Sequence, residues 1–153
     1  MEIHKASEKD IETVKSITHD TIKAVYPHYY PKGAVDFFLK HHCRENIIRD
    51  IKSGIVYLIA GENGDIAGTV TVSENSITRL FVLPEYHGKG IGGELIRFAE
   101  ELIAKDHNDI VIDASFSAKP IYLKKGYVPI EYHTIETDNG DFLCYDIMKK
   151  EIR

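Results

Sequence analysis

Positions 80 to 93 read Leu-Phe-Val-Leu-Pro-Glu-Tyr-His-Gly-Lys-Gly-Ile-Gly-Gly, with four glycines among the last six residues. An apolar run at 77–83 leads into them, Pro84 breaks that run, and an amphipathic helical pattern follows. A glycine-rich turn that opens a helix suits an anion. Glycine lets the backbone approach a ligand closely. The first N–H groups of the helix have no internal partner and point out along the positive end of its dipole. The ligand expected at this turn is a phosphorylated cofactor.

Three such ligands compete for it. A Walker-type loop needs Lys followed by Ser or Thr at its end, whereas Gly92 is followed here by Gly93 and Glu94. The dinucleotide fingerprint G-x-G-x-x-G is matched by Gly88, Gly90 and Gly93, and Asp113 closes the next apolar run at a suitable distance. That fingerprint should begin at the strand end, but a link at 83–87 intervenes, and 153 residues are too few for the full doubly wound sheet. The third ligand is acyl-coenzyme A. The stretch resembles motif A of the GNAT N-acetyltransferases, a strand followed by Gln/Arg-x-x-Gly-x-Gly/Ala at a helix start. The motif glycines are Gly90 and Gly92, and His87 stands at the Gln/Arg position. A second segment, residues 115–127, resembles GNAT motif B, Asn-x-x-Ala-x-x-Phe/Leu-Tyr-x-Lys-x-Gly-Phe/Tyr. Ala118, Tyr122, Lys124, Gly126 and Tyr127 match, and Ser115 replaces the Asn. The two motifs follow each other in the family's order and spacing.

The resemblance implies an acetyl-coenzyme A-dependent N-acetyltransferase. It sets the cofactor against Leu80, Phe81, Val82, His87, Gly88, Lys89, Gly90, Ile91, Gly92, Gly93 and Ser115. The pantetheine arm would bond to main-chain groups of Leu80 and Val82, one N–H of which polarises the acetyl carbonyl. Tyr122 is the implied acid. An ordinary phenol, with a pKa of about 10, is protonated at neutral pH and can hand its proton to a thiolate of pKa about 8.5. The base is unassigned. The strand-four Glu of the histone acetyltransferases is replaced by Ser76, leaving Glu74, His133 or an ordered water chain. Lys89, Lys124 and Lys125 either meet cofactor phosphates or are solvated charges. Transfer is expected to be direct, through a ternary complex, although Cys144 could approach the site. The aromatic loop at 26–31 is a candidate wall of the acceptor pocket. The acceptor is a small primary amine or a peptide amino group, and a homodimer is a common outcome in the family.

These residues need a scaffold, and the hydrophobic period supplies one. A strand at 2–6 precedes Ser7-Glu-Lys-Asp10, a capping-box-like start. Ile11, Val14, Ile17, Ile22 and Val25 follow at helical spacing up to Pro27. One helix or a pair spans 34–52. Strands at 55–60 and 66–73 flank Glu62-Asn-Gly-Asp65, read as a hairpin turn in which Asn-Gly supplies positive φ angles. A third strand covers 77–83, and a helix 88–105 presents Ile91, Leu95, Phe98, Ala99 and Leu102 on one face. A buried strand at 110–114, a short helix from about 118, and two strands at 128–136 and 142–149 complete the chain. This order agrees with one α/β (α+β) domain over residues 1–153, a mixed, mostly antiparallel sheet with helices on both faces.

Composition bounds the alternatives. Apolar content is 43% and net charge is −5, which fits a globular domain, disfavours a nucleic-acid surface and is compatible with a cationic substrate. Two cysteines, Cys43 and Cys144, make no disulfide framework, so the expected compartment is a reducing cytoplasm. No run is long enough to span a bilayer, and the first residues hold no signal-like apolar region, so no membrane is expected. His41-His42-Cys43 has no matching ligand pair, and no metal is expected. Two other functions stay open: a coenzyme A-binding sensor that does not need Tyr122, and a small dinucleotide oxidoreductase that gives Asp113 a role. The acetyltransferase reading gives the Asp113 side chain none.

Overall fold

The computed structural model describes residues 1–152. In chain order it holds β1 (Ile3–Lys5), α1 (Ile11–Val25), α2 (Lys32–His41), α3 (Arg44–Lys52), β2 (Val56–Ala60), β3 (Ile66–Ser73) and β4 (Ser76–Val82). Then come α4 (Ile91–Ile103), β5 (Asp109–Ala114), α5 (Lys119–Lys124), β6 (Val128–Glu136) and β7 (Phe142–Glu151). The strands form one sheet in the order β1-β2-β3-β4-β5-β7-β6.

Every neighbouring pair is antiparallel except β4 and β5, which run parallel and pair only at Ser76 with Val111 and Ile77 with Ile112. Beyond those rungs the two strands part. The cause lies in β4. Its register on β3 jumps from Val72–Ile77 to Thr71–Arg79, which leaves Thr78 as an extra residue. Such a bulge bends its strand. Past the bulge the odd-numbered residues bond to β3, as Leu83 N–H does to the Ala67 carbonyl at 2.9 Å. Antiparallel pairing alternates, so the main-chain groups of Leu80 and Val82 face the gap that β5 has left.

Both faces of the sheet are covered. On one, Ile91, Leu95, Ala99 and Ile103 of α4 pack with Ile110 and Ile112 of β5 and with Tyr122 of α5. On the other, Val14 and Ile22 of α1 and Ile47 and Ile51 of α3 pack with Leu58 of β2 and Leu143 of β7. The expected elements are present, with three local differences. The stretch at 34–52 is a pair of helices, and the first starts at Lys32, directly after Pro31. The hairpin at 61–65 has positive φ at Gly64 but not at Asn63. Asn63 instead accepts the Asp65 N–H on its own side chain, and Gly64 N–H closes onto the Gly61 carbonyl, so the loop is longer than a two-residue turn. Third, α4 begins at Ile91, three residues later than the pattern suggested, because Gly88 and Gly90 adopt left-handed backbone.

Candidate active site

The parting of β4 and β5 opens a cleft of about 470 Å³, bounded by β4, the start of α4, α5 and the end of α1. Leu80, Phe81, Val82, His87, Gly88, Gly90, Ile91, Gly92, Gly93 and Ser115 all line it. Lys89 does not; its ammonium stands 5.5 Å from the centre of the Tyr86 ring. Of the other two lysines, Lys125 reaches the cradle, with Nζ 3.4 Å from where a Cβ on Gly93 would sit.

The cradle itself is backbone. Gly88 has φ 76° and Gly90 has φ 81°, and Gly90 is the residue on which α4 starts. A Cβ added at either would meet nothing within 4 Å, so the space above the turn is open. The first bond into the helix runs from Glu94 N–H to the Gly90 carbonyl at 3.1 Å, leaving the N–H groups ahead of Glu94 directed at that space. These features fit a pyrophosphate. Next to them, His87 Nε2 lies 2.7 Å from the Val82 carbonyl oxygen, to which it donates. The side chain at the Gln/Arg position of motif A therefore ties the cradle to the end of β4 and engages one of the main-chain groups expected to meet pantetheine.

Tyr122 projects from α5, a helix opened by Pro120 in its first turn and pinned by Lys119, whose Nζ lies 3.0 Å from Asp146 Oδ2 on β7. The tyrosine is 5% exposed and packs edge-on against Tyr127, with centroids 5.5 Å apart. Burial pushes its pKa up from 10. No hydrogen bond ties its hydroxyl among the described residues, and the ring lines the large cleft and a second, smaller cavity at once.

That second cavity, about 110 Å³, lies on the other side of Phe81 and shares Tyr26, Leu80, Phe81, Ser115, Ala118 and Tyr122 with the first. Its remaining wall includes His41, His42, Thr78, Arg79, Asp113 and Tyr145. Arg79, with a side chain only 4% exposed, is held at 3.2 Å by Asp50, and it donates to His42 Nδ1 at 3.2 Å and to Thr71 Oγ1 at 3.0 Å. Burial and the neighbouring guanidinium lower the His42 pKa to about 2, so the imidazole is neutral with its proton on Nε2. Of the aromatic loop, Tyr26 lines both cavities and Tyr29 the larger. Tyr30 closes the loop onto the sheet. Its hydroxyl accepts from Phe116 N–H at 2.9 Å and donates to the Cys144 carbonyl at 3.0 Å.

Several candidates stand elsewhere. Ser76 and Glu74 line neither cavity; Glu74 is at the turn before β4, 3.9 Å from His107. His133 stacks on Tyr145 at 5.3 Å and contacts Glu131 at 2.8 Å, outside both walls. Cys144 reaches neither cavity, its Sγ lying 3.7 Å from Thr134 Oγ1. Arg79 and Tyr145 carried no signal in the sequence, His42 was weighed only as a metal ligand, and the Asp113 side chain was given a role only under the dinucleotide reading; the structure brings all four to one cavity.

The family model for the acetyltransferase (GNAT) domain matches residues 25–148. A spermidine N(1)-acetyltransferase of Thermoplasma acidophilum is 25% identical over 94% of this chain and 94% of its own. An uncharacterised N-acetyltransferase of Escherichia coli, YafP, is 28% identical over 48% of this chain, a match that spans only 47% of YafP. Among solved structures, a GCN5-related N-acetyltransferase from Rhodopseudomonas palustris superposes with a TM-score of 0.88 at 21% identity, covering 98% of this chain and 94% of that one. The PaiA N-acetyltransferase of Thermoplasma acidophilum, solved with coenzyme A, superposes with a TM-score of 0.70 at 22% identity over 98% of both chains.

Proposed function

Because the chain belongs to the GNAT acetyltransferase family and is an N-acetyltransferase, we propose that it moves an acetyl group from acetyl-coenzyme A directly to a primary amine in the cleft between β4 and β5. The observation that carries this reading is the meeting of two cavities at Tyr122. One is walled by an open backbone cradle and the other by side chains. Acetyl-coenzyme A, when bound, supplies a thioester whose acetyl group passes to the amine as the thiol leaves.

The residues divide the work. Main-chain N–H groups of residues 88–93 take the pyrophosphate, helped by the dipole of α4. Main-chain groups of Leu80 and Val82 face the gap and hold the pantetheine amides, as an added strand would. His87 keeps the cradle in register with Val82. Ile91 and Ser115 border the arm. Tyr122 holds a proton on its hydroxyl. Burial keeps the phenol neutral, so its proton is in place when the thiolate forms. Burial first, and the neighbouring guanidinium second, disfavour a proton on His42, which makes it a poor base. An amine acceptor is supported by the relative that acts on spermidine. The test is release of free thiol from acetyl-coenzyme A on adding primary amines. Release that depends on both components supports the transfer; binding of the cofactor without release for any amine would favour a coenzyme A sensor.

A further inference from the structure

The walls of the smaller cavity differ in how their charges are matched. Arg79 already has a carboxylate partner in Asp50. His42 is neutral. His41 stacks on Phe37 with centroids 6.3 Å apart. Asp113 is different. It lies on β5 on the face opposite Ile110 and Ile112, it is exposed, and among the described residues it has no hydrogen bond and no ion pair. It is the single Asp or Glu among the described residues lining that cavity.

Tyr145 lines the same cavity, and its ring is stacked on His133, which contacts Glu131. Burial raises the Tyr145 pKa first, and the carboxylates of Asp113 and Glu131 raise it further, so both negative charges are felt at one phenol. Tyr122, Asp113 and Tyr145 thus line one cavity, a carboxylate beside aromatic rings. That combination attracts an organic cation.

Resting on the transferase reading above, we propose that Asp113 is the specificity-determining residue of the acceptor site, pairing with the second ammonium of a diamine or polyamine whose other amine is acetylated. The reacting amine must be neutral to attack, so it cannot also be the partner of a carboxylate anchor. The ammonium that pairs with Asp113 is one that stays charged throughout. A monoamine leaves Asp113 unmatched.

The experiment measures thiol release from acetyl-coenzyme A with 1,3-diaminopropane and with n-propylamine, for the protein, Asp113→Asn and Asp113→Glu. The protein should prefer the diamine in kcat/KM by about 10-fold or more, the scale of a hydrogen-bonded charge pair. Asp113→Asn should bring that ratio to about one, with the loss in the KM of the diamine, and Asp113→Glu should restore most of it. Calorimetric titration with 1,3-diaminopropane in the presence of coenzyme A should show the same weakening for Asp113→Asn. An unchanged ratio overturns the proposal, as does an equal fall in kcat for both amines, which would make Asp113 a group acting on the reacting nitrogen. No thiol release with any amine overturns the transferase reading itself.

Discussion

The two cavities share Phe81, Ser115 and Tyr122, yet they are made from different material. The larger cleft carries a main-chain cradle, with left-handed glycines, helix N–H groups ahead of Glu94 and a strand edge bared by one bulged residue, Thr78, beside side chains such as Tyr29, Ile96 and Tyr122. The smaller cavity is a mosaic of side chains that include those of α2, β4, β5 and β7, held by a guanidinium that bonds to three different parts of the fold. A backbone site tolerates change in most of its side chains, because N–H groups come with every residue. A side-chain site changes its ligand with each substitution. The contrast explains how one scaffold keeps a cofactor while its acceptors vary.

Breaking the mosaic should have the largest effect. Asp50→Ala leaves Arg79 buried without its carboxylate, and about 3–5 kcal/mol of stability should be lost in urea unfolding. The double variant Asp50→Leu with Arg79→Met should recover most of it. A single-variant loss under about 0.5 kcal/mol would mean that the ion pair does not hold this wall.

The group at the meeting point comes next. Tyr122→Phe should lower kcat by about 10- to 1000-fold while acetyl-coenzyme A affinity stays nearly the same, since a phenyl ring fills the space but holds no proton. Unchanged turnover on a good acceptor would remove Tyr122 from the chemistry.

A smaller effect separates the halves by pH. His42 titrates near 6.5 when unfolded, but folding lowers that value to about 2. Below about 6.5 the unfolded chain therefore binds a proton that the folded protein refuses, and stability falls as pH drops through that window. Between pH 7 and pH 5 the loss from this ring should be about 1–2 kcal/mol, and His42→Asn should remove that component from the unfolding midpoints. Equal pH slopes for the two proteins would place the buried proton balance elsewhere.

The same contrast decided what could be read in advance. The cradle was legible because Gly88, Gly90 and Gly92 cluster ahead of a helical pattern, the first two in left-handed backbone, and the period of residues 91–103 announced the helix behind them. The order of strands followed from alternation and turns. The bulge at Thr78 was not visible, since no residue type marks it, although it frees the edge of β4. Nor was the three-residue delay of α4, which is a consequence of two positive φ angles. The acceptor wall was mostly hidden for a different reason. Arg79 and His42 look like a surface charge and part of a His-His pair until β4 and the end of α2 bury them together. Lys89 stands inside the motif, with its ammonium 5.5 Å from the centre of the Tyr86 ring.

The most direct test of the backbone cradle is calorimetric titration of the protein and Gly90→Ala with acetyl-coenzyme A, with NADH and NADPH alongside. The added methyl has open space around it, so the variant should fold, with about 1–2 kcal/mol lost to the left-handed conformation. The account predicts binding of the thioester and not of either nicotinamide cofactor, and an affinity at least about 10-fold weaker in Gly90→Ala, where the methyl and the strained turn both disturb the close approach of the phosphates. Equal affinity in the two proteins, or binding of the nicotinamide cofactors alone, would contradict it.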